Sequence, residues 1–138
     1  MPGIDALIQE CRLLQMDDAQ IIDNYTMEEI AQIYNGIGPE KFPDGLRRAI
    51  TFLHPSFAAA SLLHDLEYHR GGSPAQFRRS NWRLARNAAK SVKKRYNAWH
   101  ILRYLLLFKA LRFAWYCQIF GRSSWNAKKT AKESDFPV

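Results

Sequence analysis

A chain of 138 residues that is 47% hydrophobic and 13% aromatic is long enough to bury one core and too apolar to be intrinsically disordered. Its two cysteines, Cys11 and Cys117, exclude a scaffold built on several disulfides, and we expect both to be reduced and structural. The net charge of +7 is uneven, because residues 69–132 hold 16 Lys and Arg and no acidic residue. A surface that carries only positive charge favours anionic partners such as nucleic acid, phospholipid headgroups or an acidic protein.

The N-terminal part of the chain predicts two helices. Apolar residues at helical spacing predict the first over residues 4–16. Thr26 and Glu29 form a capping-box pattern, which begins a second helix that reaches Tyr34. No signal-peptide pattern precedes these helices, so we expect synthesis in a reducing cytoplasm, while action at a membrane surface or delivery elsewhere stays open.

A glycine-rich segment, Tyr34-Asn-Gly36-Ile-Gly38-Pro39, must end the second helix. Because glycines at alternate positions allow sharp turns, backbone carbonyls can face one side without obstruction by side chains. Such carbonyls are acceptable ligands for calcium, although a site of this kind also needs a carboxylate. A further helix is predicted from Pro43 to about His54.

The helix predicted over residues 56–69 carries the candidate chemistry. His64 and Tyr68 lie four residues apart and therefore share one face of this helix. Asp65 lies about 100° further round the helix axis. One of these side chains could therefore handle a proton while the other holds a ligand.

Residues 74–95 predict the next helix, with Ser73 as its N-cap and Pro74 in its first turn. Asn81 lies on the apolar stripe of this helix, between Phe77 and Leu84. Basic residues occupy its other faces, and we predict that they bind a membrane or another anionic surface. These residues are Arg78, Arg79, Arg83, Arg86 and Lys90.

Residues 101–120 form the most apolar stretch and allow three interpretations: a core helix, an interfacial membrane helix or a spanning helix. Core packing is favoured, because Arg103, Lys109 and Arg112 lie inside the stretch and disfavour a span. Residues 123–138 predict a mobile basic tail, which leaves a single domain over residues 1–122. Since no segment alternates with a period of two, the predicted fold is all-α.

Two motifs, in this order, resemble the phospholipase A2 superfamily. Tyr34-Asn-Gly36-Ile-Gly38 is similar to its calcium loop, Tyr-x-Gly-x-Gly, and His64-Asp65-Leu-Glu-Tyr68 is similar to its active-site helix, His-Asp-x-x-Tyr. The lack of disulfides resembles the minimal viral and phage-type members more than the secreted ones. The likeness covers about residues 30–95, and it implies two antiparallel active-site helices and a calcium loop, to which this chain adds packing helices.

The resemblance also implies a role for each matched residue. His64 would be the general base that activates water for attack on the sn-2 ester of a phospholipid, and Tyr68 would belong to the hydrogen-bond network beneath it. The N–H of Gly36 would donate to the oxyanion. Calcium would be the cofactor, and its protein ligands would be the Asp65 carboxylate and the carbonyls of Tyr34, Gly36 and Gly38.

Asn81 stands where the second helix of the family carries the aspartate that orients the histidine. An amide oxygen can accept the imidazole N–H, but it cannot stabilise an imidazolium as a carboxylate does. In serine proteases the equivalent change lowers kcat by about 10⁴. We therefore expect calcium-dependent phospholipid hydrolysis first, a catalytically weak or inactive lipid- or protein-binding module second, and a basic helical nucleic-acid-binding protein third.

Overall fold

The structure, a computed structural model, describes residues 3–34 and 55–125. Within these two ranges the chain is all-α, as predicted, with no strand. The α-helices are α1 (Ile4–Leu13), α2 (Met27–Tyr34), α3 (Ala58–Arg70), α4 (Pro74–Arg95) and α5 (Ile101–Phe120). Short 3-10 segments cover Ala19–Asn24, Pro55–Phe57 and Gly121–Ser124. The helix predicted from Pro43 lies outside the described residues.

Both helix starts that were predicted from capping patterns are confirmed. The backbone N–H of Glu29 donates to Oγ1 of Thr26 at 3.1 Å, and the N–H of Thr26 donates to Oε1 of Glu29 at 3.0 Å. At the start of α4, Oγ of Ser73 accepts from the N–H of Gln76 at 3.2 Å. These bonds satisfy backbone donors that have no partner within the helix, so the local sequence fixes where α2 and α4 begin.

The first helix ends earlier than predicted. It stops at Leu13 rather than residue 16, because Gln15 adopts a positive φ of 50° that a right-handed helix cannot include. Asp18 also has a positive φ, of 63°, and directly precedes the 3-10 segment, which the sequence did not predict. This segment buries Ile21 and Ile22, so the region between the two predicted helices belongs to the core.

Helix α3 lies between two hydrophobic clusters, which explains why it is buried on nearly every side. On one side it packs against α1 and α2, and on the other against α4, which in turn packs against α5. The first cluster includes Leu7, Cys11, Ile30, Leu62 and Leu66, and the second includes Ala60, Leu84, Val92, Leu106 and Cys117. Both cysteines are buried in these clusters, and neither forms a disulfide.

Helix α5 packs against the rest of the protein through a narrow stripe. Its buried residues are Leu106, Ala110, Ala114 and Cys117, all of which fall on one face. Through this stripe the segment packs against the other helices, as the core interpretation expects, but most of its large apolar side chains lie outside the stripe and are exposed, as the interfacial interpretation expects. Neither described range holds a helix that combines the length and the apolar character needed to cross a bilayer.

The folded region extends past the predicted domain end at residue 122. Trp125 is buried, and its ring makes edge contacts with Tyr68 and Phe77 at centroid distances of 5.2 and 5.5 Å. Its Nε1–H donates to the carbonyl of Gly72 at 3.0 Å. The predicted boundary is therefore too early, while residues 126–138 of the predicted tail lie outside the described residues.

Candidate functional site

The two predicted active-site helices place His64 and Asn81 in direct contact. Nε2 of His64 lies 2.9 Å from Oδ1 of Asn81, and both residues are almost completely buried. The contact follows from the apolar stripes of α3 and α4, which face each other and bring these two polar residues together. The predicted histidine–asparagine pair is therefore present.

Tyr68 completes the predicted group and determines which ring nitrogen of His64 carries the proton. Its hydroxyl donates to the same Oδ1 of Asn81 at 2.7 Å, and its ring centroid lies 4.2 Å from that of His64. Because Oδ1 can only accept, the bond to His64 requires a proton on Nε2. Neutral His64 then keeps its lone pair on Nδ1, which is the nitrogen that a general base would use.

Gln118 of α5 is a member of this network that the sequence did not reveal. Nδ2 of Asn81 donates to Oε1 of Gln118 at 2.9 Å. An amide can otherwise turn by 180° and exchange its donor and acceptor, so this bond keeps Oδ1 directed at His64 and Tyr68. The sequence did offer one indication, since Gln118 is a polar residue beside the stripe of small residues in a largely apolar helix. Its partner Asn81 is known only from the way α5 packs on α4.

A close backbone approach supports Tyr68 from the other side. A Cβ atom added at Gly121 would collide with the Tyr68 hydroxyl, and the φ of −83° at Gly121 is ordinary for any residue. Glycine is therefore required here by space and not by backbone conformation. Gly121 and Trp125 both contact Tyr68, so the chain after α5 helps to hold the network in place.

Burial determines the protonation of these groups. Burial lowers the pKa of His64 to about 4, against the opposing effect of the hydrogen bond that His64 donates to Asn81 and with a smaller contribution from the charge of Arg83. Burial likewise raises the pKa of the Tyr68 hydroxyl. At neutral pH both side chains are therefore uncharged, and His64 is a weaker base than an exposed histidine.

Only part of the predicted calcium site lies in the described residues. Asp65 is partly buried next to His64, and its charge raises the pKa of the nearby Cys117 thiol, after the larger effect of burial. Tyr34 is the last residue of α2, which packs against α3. Gly36 and Gly38 lie outside the described residues. Among residues 3–34 and 55–125, no three His, Cys, Asp or Glu side chains converge on a metal position, so a site here would depend on carbonyl ligands.

Arg83 does not belong to the exposed basic surface that the sequence predicted. Its side chain is 5% exposed and forms an ion pair with Glu67 of α3, which is also buried. Arg70 pairs in the same cluster with Asp18 at 2.9 Å. The prediction that Arg83 binds an external anion was wrong, because its charge is already neutralised inside the protein.

The other predicted basic residues divide into two groups. Arg86 and Lys90 pair with the Asp17 carboxylate at 2.7 and 3.1 Å, whereas Arg78 and Arg79 are exposed. Arg79 lines an open cleft of about 740 Å³ together with Trp82. Because Asp17 and Asp18 line the same cleft, its charge is mixed, and the pattern of basic residues alone overstated how positive this face is.

Comparison of the chain with protein-family models, with curated proteins and with solved structures finds no match. The likeness to phospholipase A2 therefore rests on the two sequence motifs alone.

Proposed function

We propose that the chain is a calcium-dependent hydrolase of the phospholipase A2 type, which cleaves the sn-2 ester of phospholipids at a membrane surface. One observation carries the proposal: Nε2 of His64 is held by Oδ1 of Asn81, which also accepts from the hydroxyl of Tyr68. This arrangement leaves Nδ1 of a neutral imidazole as the acceptor for a proton, as general-base catalysis requires.

In this mechanism Nδ1 of His64 removes a proton from water as the water oxygen attacks the ester carbonyl. The tetrahedral intermediate collapses, and the imidazolium returns the proton to the departing glycerol oxygen, which yields a fatty acid and a lysophospholipid. Asn81 and Tyr68 keep the ring oriented throughout. Asn81 supplies no negative charge to the imidazolium, so we expect slow turnover.

Calcium would be held by the Asp65 carboxylate and by the carbonyls of Tyr34, Gly36 and Gly38, a set of hard oxygen donors that suits this ion. When bound, it would neutralise the substrate phosphate and polarise the ester carbonyl. The N–H of Gly36 would donate to the developing oxyanion. With one carboxylate in the set, the affinity for calcium should be low.

A second candidate function is a catalytically inactive lipid- or protein-binding module. It is favoured by the neutral Asn81 and by His64, which is 2% exposed and has a pKa lowered to about 4 by burial. A buried weak base next to an amide is also a stable structural arrangement, because Nε2 of His64, Oδ1 of Asn81 and the hydroxyl of Tyr68 all take part in hydrogen bonds.

Fatty-acid release from phospholipid vesicles distinguishes the two candidates. The wild type should release fatty acid only with calcium, and His64→Ala should lower the rate by roughly 10² to 10⁴. Asp65→Asn should abolish the calcium response, whereas Asp5→Asn, an exposed carboxylate on α1, should leave it unchanged. Equal release by the wild type and His64→Ala, or none at saturating calcium, would reject the hydrolase and favour the binding module.

A further inference from the structure

Most of the large apolar side chains that are exposed in the described ranges belong to α5, on the side that faces away from the protein. Its members include Leu105, Phe108, Leu111, Trp115, Ile119 and Phe120, each between 48% and 60% exposed. At 100° per residue the first five fall on the half of the helix opposite the buried stripe, and Phe120 lies just outside that half, at the end of the helix. We call this surface the outer face of α5. Trp99, two residues before the helix, is 95% exposed.

A surface of this kind needs a partner that removes it from water. Large contiguous apolar patches are rare on soluble monomers and mark sites of protein or membrane interaction. The exposed aromatic residues on this side of α5 also include two tyrosines, Tyr104 and Tyr116, besides Trp115. Tryptophan and tyrosine favour the boundary between lipid headgroups and acyl chains, because they combine an apolar ring with a polar atom.

The charges on the outer face identify the kind of partner. Arg112 lies among its apolar residues, with its guanidinium 5.9 Å from the ring centroid of Phe108, and Lys109 is exposed on the edge of the face. No acidic residue occurs between residues 69 and 132. In a symmetric contact between two copies through α5, these cations would meet like charges with no acid on the helix to neutralise them. Lipid phosphates would neutralise them directly.

We propose that the outer face of α5 binds an anionic phospholipid membrane, with the helix lying in the plane of the interface and the apolar side chains inserted among the headgroups. Arg112 and Lys109 extend along the helix toward phosphate, as long cationic side chains do at membrane boundaries. The biological role of this membrane binding rests on the proposed function, because a phospholipid hydrolase must reach its substrate in a membrane. The binding itself requires neither calcium nor His64.

Flotation with vesicles in EDTA tests the surface separately from catalysis. The wild type should float with equimolar phosphatidylcholine and phosphatidylglycerol and bind phosphatidylcholine alone far less. The double change Phe108→Ser and Trp115→Ser should lower partitioning by about tenfold or more. The matched control is Leu13→Ser, an apolar residue on α1 that is 74% exposed and should bind like the wild type.

Variants that remove a positive charge test the electrostatic contribution to vesicle binding. Lys109→Gln and Arg112→Gln should each lower partitioning into the anionic vesicles by about fivefold, and added salt should reduce the difference. The control is Arg12→Gln on α1, which removes the same charge far along the chain from α5. Circular dichroism should give equal helix content for all variants, because every changed residue is exposed.

Two results would overturn the inference. One is unchanged flotation of the Phe108→Ser and Trp115→Ser variant. The other is a stable wild-type dimer that these changes convert to a monomer, which would assign the face to self-association. Vesicle binding without calcium-dependent hydrolysis would reject the proposed function and leave this inference intact, whereas calcium-dependent hydrolysis together with unchanged flotation of the Phe108→Ser and Trp115→Ser variant would do the reverse.

Discussion

Asn81 and Gln118 are joined by a 2.9 Å hydrogen bond that links the candidate site to a helix outside the family likeness. We predict that Gln118→Met frees the Asn81 amide to turn, since Met has nearly the same shape and no amide oxygen. A hydrogen bond contributes about 1 kcal/mol, so the ratio of His64 tautomers should shift by roughly fivefold toward a proton on Nδ1. Nitrogen-15 chemical shifts of the imidazole measure this ratio.

Gln118→Glu is the control, because a carboxylate still accepts from Nδ2 of Asn81. It should keep the proton on Nε2. If Gln118→Met gives the wild-type imidazole spectrum, Gln118 does not position Asn81, whatever happens to stability.

Asn81→Asp should make His64 a stronger base. A carboxylate next to Nε2 favours the imidazolium, so the pKa of His64 should rise from about 4, where burial now holds it. Gln118 can turn its nitrogen toward the new carboxylate, so the network remains satisfied. We expect kcat to increase by about tenfold or more and the acid limb of the pH–rate profile to move to higher pH. A lower kcat together with a raised His64 pKa would show that basicity does not limit the rate.

Acid should destabilise the protein through His64. Its pKa is about 4 when folded and 6.5 ordinarily, so the unfolded chain binds more protons between these values. The stabilisation from the neutral ring is complete above pH 6.5 and is lost as the pH falls toward 4, to the extent of about 3 kcal/mol. Urea unfolding should show a smaller decline for His64→Gln, which cannot titrate. Parallel declines for both proteins would mean that His64 is not the group responsible.

The pairing of His64 with Asn81 was predicted from the family resemblance, which matches both positions, and it agrees with the helix stripes that local spacing defines. Gln118 could not be predicted, since its role depends on how α5 crosses α4 and no periodicity encodes that contact. The role of Gly121 could not be predicted either. Its sequence context indicates only a helix end, whereas the structure requires glycine there because the Tyr68 hydroxyl leaves no space for a Cβ atom.

Arg83 was predicted to lie on the surface and is buried instead. Its spacing matched the exposed basic residues of α4, and nothing local distinguished it from Arg86. What differs is the partner: Glu67 faces α4 from α3, so Arg83 is drawn inside, whereas Arg86 meets the partly exposed Asp17. Charge patterns predict the sign of a surface but not which cations remain on it.

This difference predicts unequal costs for two similar changes. Arg83→Met leaves Glu67 buried without its main cation and should lower the free energy of unfolding by about 3–5 kcal/mol. Arg86→Met removes a pair whose arginine side chain is 60% exposed and should cost less than about 1 kcal/mol. Adding Glu67→Leu to Arg83→Met should recover much of the loss, as urea unfolding of the double-mutant cycle would measure. Simple additivity would contradict the pairing.

Gly121→Ala should displace Tyr68. The added Cβ would collide with the Tyr68 hydroxyl, which must then withdraw from Oδ1 of Asn81, at a cost of about 1–3 kcal/mol in stability. The tautomer preference of His64 should persist, because Nε2 still meets the same oxygen. Gly3→Ala is the control, since its Cβ would meet nothing within 4 Å.

The decisive comparison for Gly121 is the combination with Tyr68→Phe. Removing the hydroxyl alone costs about 1 kcal/mol through the lost hydrogen bond, and it also removes the atom that the alanine methyl would strike. Gly121→Ala should therefore cost much less when Tyr68 is already Phe than in the wild type. Urea unfolding of the four proteins gives this coupling directly. If the two changes destabilise additively, the close approach of Gly121 is not what holds the Tyr68 hydroxyl against Asn81.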